Sequence, residues 1–313
     1  MSDEILLSVY NLNEDNSSDD NINDDNLNDD NKNNNKNSNL KNKILNSLNK
    51  FFFIYSNYIH IFAYIYLFLP CLLTNIFIIE KIKEYYLKRF LYIIFNVIFL
   101  LTFFSFLKII NTSPGIQKKE NNITYEEFLK YNPFIEIKNK KIYLKYCKSC
   151  KIIRRVRTFH CKYCKKCILK HDHHCFILGI CIGKNNYFYF VIYIIFLTIY
   201  CIEISIINIL FIKDYGLKFN KLFSDEIKYI EILNLILLFL SLFFFINLIF
   251  FFFQHIYYIS KNITTRESIK YKDILDENDK GCKTNFEYFF NNNNEEEIDK
   301  KYNNIINKII LSK

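Results

Sequence analysis

Four long stretches nearly empty of formal charge constrain this 313-residue chain more than any other feature. Phe51–Ile79, Leu91–Leu107 and Ile232–Phe253 hold no Asp, Glu, Lys or Arg, and Tyr187–Ile212 holds only Glu203. A bilayer core takes about 20 apolar residues per helix. These runs are aromatic and aliphatic all round, whereas a helix packed on a soluble core carries a polar stripe. The reading is an all-α membrane protein with four transmembrane helices. The first run is over-long and contains His60 and Pro70, so its helix is expected to begin several residues after Phe51. Helices 1 and 2 fall in 51–110 and helices 3 and 4 in 187–254, leaving 111–186 between the pairs and 255–313 after them.

The loops set the orientation. Lys and Arg number 17 across 111–186, against four in each of 80–90 and 213–228. Positive-inside bias places the 111–186 loop and both termini in the cytosol. Residues 1–50 are Asn/Asp-rich with almost no aromatics, too polar to bury a core, and read as a disordered tail. That polar leader is also longer than the n-region of a signal peptide. Asn291–Glu297 is a second low-complexity patch.

The cytosolic loop is where the chemistry concentrates. Between Cys147 and Cys181, 35 residues hold seven of the ten cysteines and four of the six histidines. C-x2-C pairs occur at Cys147/Cys150, Cys161/Cys164 and Cys164/Cys167. Such pairs pre-orient two thiolates on one turn, and tetrahedral zinc takes four Cys or His ligands. With His160, Cys181 and one later histidine, eight ligands are present, enough for two sites. Cys175 is then left over. A disulfide framework needs an oxidising compartment, and the histidine partners fit metal better. Asp172-His173-His174-Cys175 has the parts of an activated nucleophile: a thiol, an imidazole to take its proton, and a carboxylate to fix the ring. Adjacent residues point apart, so one histidine can serve Cys175 while the other binds metal.

The whole pattern, C-x2-C-x9-H-C-x2-C-x2-C-x4-D-H-H-C-x5-C-x4-N from Cys147 to Asn186, resembles the DHHC-type protein S-acyltransferases, the palmitoyltransferase family. Thr264-Thr265-Arg266-Glu267 is similar to the family's T-T-x-E, and Ser113-Pro114-Gly115 to its D-P-G, with serine for aspartate. Gly281, Asn285 and the aromatic Phe286–Phe290 stretch resemble its C-terminal element. The resemblance covers roughly Phe51 to Phe290. It implies two interleaved structural zinc sites, Cys147, Cys150, His160 and Cys167 in one and Cys161, Cys164, His174 and Cys181 in the other. It also implies Cys175 as the acyl-accepting nucleophile, His173 as its base and Asp172 as the orienting carboxylate. Thr264, Thr265 and Asn186 would support the site. The chain departs from the family after the nucleophile: Phe176-Ile177-Leu178-Gly179-Ile180-Cys181 stands where Pro-Trp-Val-Asn-Asn-Cys is usual.

The implied function is S-palmitoylation of membrane-associated proteins: a long-chain acyl group passes from acyl-CoA through acyl-Cys175 to substrate cysteines. The setting is an endomembrane (ER/Golgi) or the plasma membrane. The alternative is an inactive, membrane-anchored zinc-domain adaptor; a metal transporter lacks polar groups for a pathway. The net charge of +9 does not point to nucleic acid, since no finger spacing with a recognition helix is present. Arg154, Arg155, Arg157 and Lys162 are candidates for the acyl-CoA phosphates, or for positive-inside residues near anionic lipid. Thr264 and Thr265 also suit a helix cap. Tyr302, Ile305, Ile306, Ile309 and Ile310 follow helical spacing, which fits a tail helix lying at the bilayer interface or docked on the protein.

Overall fold

In chain order the elements are α1 (Tyr85–Asn111), α2 (Tyr125–Tyr131), the hairpins β1–β2 (Phe134–Ile137, Lys140–Tyr143), β3–β4 (Lys145–Cys147, Ile152–Arg154), β5–β6 (Phe159–Cys161, Lys166–Ile168) and β7–β8 (His173–Cys175, Ile180–Ile182), then α3 (Tyr187–Tyr215), α4 (Asp225–Lys261), α5 (Thr265–Lys270), α6 (Cys282–Asn291) and α7 (Glu296–Leu311). This computed structural model describes residues 65, 67–83, 85–119, 123–137, 140–215, 225–270, 279–291 and 296–312. The 1–50 tail lies outside them.

Among the described residues, three helices are long and apolar enough to cross a membrane; they belong to α1, α3 and α4. At 1.5 Å per residue the 27 residues of α1 reach about 40 Å, more than a hydrocarbon core needs. The expected first span, Phe51–Ile79, is described only from residue 65: 67–73 are helical, followed by a π-helical turn at Thr74–Ile78 and a 3-10 turn at Ile79–Lys81.

Helix α3 lies at the centre, with Phe190, Tyr193, Ile194, Leu197, Tyr200, Ile204, Ile207 and Phe211 in one buried cluster. Helix α1 buries Phe95, Phe99, Thr102, Phe106 and Ile109, a spacing of alternating four and three residues that keeps one seam on the bundle. Its other face exposes Phe90, Val97, Leu100 and Phe104. Helix α4 exposes Phe239, Phe243, Phe250 and Phe253. Apolar surface on the outside is what a lipid solvent permits. Polar pairs join α3 to α4: Ser205 to Ser241 at 2.8 Å and the Asn234 amide to Asn208 Oδ1 at 2.8 Å. Such pairs are the usual interhelical polar contacts in membranes.

The cysteine-rich segment is a threefold repeat of 14 residues. Cys147, Cys161 and Cys175 each end a first strand; their cross-strand partners are Ile152, Lys166 and Ile180. One step back, Tyr146, His160 and His174 pair with Ile153, Cys167 and Cys181. Each four-residue turn closes on a residue at positive φ: Lys151 (55°), Lys165 (53°) and Gly179 (66°). Three-residue strands are too short to carry a core of their own. The buried interior here is largely cysteine: Cys147 and Cys167 with Ile152, then Cys161 and Cys181 with Ile168.

The third hairpin is the joint with the bundle. Leu178 and Ile182 belong to the bundle's buried cluster, and Cys175 and Ile180 pack against it. Behind the joint, the segment after α1 runs beside β6: Leu169 N–H donates to Gly115 O (2.8 Å) and Gln117 N–H to Cys167 O (2.9 Å). Gly183 permits that approach, because a Cβ there would sit 2.6 Å from Pro114 O.

The tail helix α7 docks on the protein. Tyr302, Ile306 and Ile309 bury against Ile123, Ile135, Leu144 and Ile153. Tyr302 OH donates to Ile153 O at 2.8 Å, and Arg155 lies 4.9 Å from the Tyr302 ring centre. Docking satisfies the apolar stripe that the sequence left open to either a bilayer or a protein surface.

Candidate active site and metal centres

The hairpin repeat brings eight donors into two tetrads, Cys147, Cys150, His160, Cys167 and Cys161, Cys164, His174, Cys181, with donor atoms in each within 4.8 Å of one another. His160 Nδ1 lies 3.4, 3.3 and 3.8 Å from the sulfurs of Cys147, Cys150 and Cys167. His174 Nδ1 lies 3.8, 3.4 and 3.6 Å from those of Cys161, Cys164 and Cys181. Metal–sulfur bonds of about 2.3 Å and metal–nitrogen bonds of about 2.0 Å put tetrahedral S···N edges at roughly 3.5 Å. The spacing thus fits a four-coordinate soft cation. Backbone N–H groups of Cys150 and Cys164 each donate to the first sulfur of their pair at 3.4 Å. That stabilises thiolate. The two tetrads use every cysteine and histidine of the motif except His173 and Cys175, and none of the cysteines is in a disulfide.

The repeat explains why Cys175 stands apart. It occupies the position of Cys147 and Cys161, but Leu178 replaces the second cysteine and turns inward to the bundle. No fourth hairpin follows to supply a histidine and a last cysteine. A thiol built to sit at a metal knuckle is thereby left half-buried at the bundle end.

Strand pairing turns His174 toward the second tetrad and His173 the other way. His173 Nδ1 hydrogen-bonds Asp172 Oδ2 at 2.7 Å, and Cys175 is a second side-chain partner of the same ring. Burial alone would lower His173, but its bonds to Asp172 and Cys175 outweigh that and hold it up to about 9. Asp172 is only 2% exposed. Burial would raise its carboxyl; the His173 bond leads the opposing effects, which hold it below its ordinary value. Thr265 contributes twice, its N–H to Asp172 Oδ1 at 2.7 Å and its hydroxyl to Oδ2 at 2.8 Å.

Thr265 is held by a device of its own. Thr264 caps α5: its hydroxyl accepts from Glu267 N–H (3.2 Å), and its own N–H donates to Glu267 Oε2 (2.8 Å), a reciprocal capping box. Arg157 grips the same carboxylate with two bonds of 2.7 Å and also donates to the Asn262 side chain and carbonyl. Burial would raise Glu267, but the Arg157 charge holds it below the usual carboxylate range. Asn186 ties the hairpin to α3, accepting from Gly183 N–H (2.9 Å) and donating to Cys181 O (3.0 Å).

The expected phosphate-binding arginines are not equivalent. Arg157 is the clamp just described, and Arg155 pairs with Asp299 of α7 at 2.9 Å. Arg154 has a buried Nε without a partner. Lys162 lies 5.2 Å from the Tyr163 ring centre at a hairpin tip.

One buried histidine beside the site escapes the sequence reading. His255, buried on α4, accepts or shares a 2.9 Å bond with Tyr187 OH, and its ring centre lies 6.4 Å from that of His173. A lone histidine closing an uncharged apolar run was the available signal.

Residues 140–272 match the family model described as DHHC palmitoyltransferase. Among curated proteins the chain is 31% identical over 186 residues to palmitoyltransferase ERF2 of Kluyveromyces lactis, covering 55% of this chain and 48% of that one. It is 35% identical over 135 residues to human palmitoyltransferase ZDHHC9, covering 43% and 36%. With palmitoyltransferase ZDHHC15 of Xenopus laevis it shares 28% over 221 residues, covering 63% and 64%. The chain thus spans less than half the length of the first two relatives.

Proposed function

We propose, from the match of residues 140–272 to the DHHC palmitoyltransferase family model, that the chain is a protein S-acyltransferase, passing a long-chain acyl group from acyl-CoA to cysteines of membrane-associated proteins. One observation carries the reading: a cysteine in the knuckle register of two metal-type cysteines lies outside both tetrads, beside a histidine 2.7 Å from a buried carboxylate.

His173, its Nδ1 fixed by Asp172, accepts the Cys175 proton. The thiolate sulfur attacks the thioester carbonyl carbon, the bond to the CoA sulfur breaks, and CoA departs with the proton from His173. An acceptor thiol then gives its proton to His173 and attacks acyl-Cys175, which regenerates the free thiol. Thr265 holds Asp172; Thr264 and Asn186 hold the elements that carry Thr265 and the hairpin. Burial at about 0.8 kcal/mol per CH2 favours the acyl chain among the helices.

Zinc is the cation proposed for both tetrads, where four protein donors leave no open position and the role is cross-linking. We further assign four spans, counting Phe51–Ile79, with the hairpins and both termini on the cytosolic side of an endomembrane or the plasma membrane. For the CoA phosphates Arg154, Arg155 and Arg157 are the candidates; Arg155 and Arg157 would add positive potential while held by Asp299 and Glu267.

The test is labelling of the purified, reconstituted chain with a clickable palmitoyl-CoA analogue. Hydroxylamine-labile label on the wild type, absent from Cys175→Ala at equal zinc content, is the expected result. No label on folded, zinc-loaded protein overturns it and leaves the adaptor.

A further inference from the structure

The tip of the third hairpin is exposed and apolar: Ile177 is 69% and Phe176 40% accessible. Chains in water rarely present such a pair beside a nucleophile. Its depth is marked by neighbours. Lys108, in the last turn of α1, lies 5.0 Å from the Tyr189 ring centre in the first turn of α3. A lysine over a tyrosine at the ends of two apolar helices is the composition of a headgroup-level belt. Cys175 packs against the cluster that contains Tyr193, one turn further along α3, and Leu178 is buried in it. Tyr193 is six residues into α3, about 9 Å from its start. The two exposed residues between Cys175 and Leu178 therefore belong to the end of the bundle that carries the Lys108–Tyr189 pair.

The second hairpin's tip completes the surface. Tyr163 lies 4.8 Å from the Phe176 ring, and Lys162, Lys165 and Lys166 are exposed around it. An apolar point with an aromatic and lysine collar matches the boundary between acyl chains and anionic headgroups.

We propose that these two tips form a bilayer-entering wedge: Ile177 and Phe176 reach the upper acyl region, Tyr163 sits at headgroup level and the lysines meet lipid phosphates. The wedge holds the Cys175 strand at fixed depth, so a thiol meeting it must lie at the membrane surface. This rests on the helices spanning a bilayer; it does not rest on the transferase reading.

The chain has no tryptophan, so a single introduced indole reports on one place alone. Ile177→Trp is reconstituted in vesicles containing anionic lipid, with either ordinary or brominated acyl chains. Phe176→Trp is the second variant, and retained metal content shows that each is folded. The expected result is strong loss of emission with bromine near the headgroup end of the chains and protection from aqueous iodide. Emission untouched by brominated lipid but quenched by iodide, in folded protein shown by flotation to be membrane-inserted, overturns the wedge and assigns the tip to an acceptor protein. Neither outcome depends on acyl transfer, so failure here is separable from failure of the proposed function.

Discussion

At the residue scale, the site is a chain of dependencies running outward from one carboxylate. Asp172 has its two oxygens divided between His173 and Thr265, so removing the Thr265 hydroxyl leaves Oδ2 with one partner fewer. Hydrogen bonds to charged groups contribute about 1.5–3 kcal/mol. Thr265→Val is expected to slow acyl-enzyme formation about tenfold or more while metal content stays whole, measured by single-turnover labelling. Behind Thr265, the Arg157–Glu267 pair is mostly buried and bidentate. Removing one partner of such a pair costs about 3–5 kcal/mol. Glu267→Gln is therefore expected to lower the melting temperature, and Arg157→Lys to fail as a replacement because it loses the fork. The pH sign follows from the depressed Glu267 carboxyl. Its stabilisation is complete above the unfolded carboxylate value and is lost as pH falls through the folded one. Wild-type melting temperature should drop across that acid window, and the Glu267→Gln curve should be flatter there. The role of T-T-x-E as a carboxylate holder was partly legible in the sequence, since T-x-x-E spells a capping box. Its union with Arg157 was not, because no local pattern joins residues 110 apart.

At the element scale, the hairpins were the least legible part of the fold. Cysteine spacing named most of the donors and left the last histidine open, but three-residue strands carry no periodicity to read. The 14-residue repeat lies in register and turn geometry more than in residue identity: Cys150 and Cys164 align with Leu178, and Lys151 and Lys165 with Gly179. The repeat makes a testable asymmetry. Lysines at positive φ cost about 1 kcal/mol relative to glycine. Lys165→Gly is expected to raise stability slightly, and Gly179→Ala to lower it by about 1 kcal/mol, both read by thermal melting in the same detergent. The helices were legible for the opposite reason, since an uncharged run of bilayer length is a pattern few other structures produce. Which face of each helix turns inward was not, because residues on both faces are apolar; the seam of α1 emerges only from packing against α3.

At the scale of the whole molecule, two bodies of different construction meet, with the third hairpin packed into the bundle's apolar cluster. The bundle is held by apolar and interhelical polar packing, whereas the hairpins have cysteine where a core would be and depend on their ligands. Metal affinity in such a domain is folding free energy. The two tetrads are not equivalent in this respect. The first joins hairpins one and two, and α2, β1–β2 and α7 also brace that end through Tyr302, Ile135 and Ile153. The second joins hairpin two to hairpin three, and its donors His174 and Cys181 flank Cys175 on paired strands. Loss of the second tetrad therefore releases the Cys175 strand directly, while loss of the first leaves that strand tied to Leu178's pocket, to Asn186 and to Thr265 through Asp172. Cys164→Ser is expected to abolish acyl-enzyme formation, and Cys150→Ser to leave a measurable fraction, with one bound zinc lost in each. A strong chelator should remove two zinc ions per chain and end labelling, yet leave most of the helical circular dichroism, because no helix of the bundle supplies a ligand. Equal loss of labelling in the two serine variants would mean that the tetrads fold as one unit, and that the interleaving of hairpin two, which supplies donors to both, outweighs the local bracing.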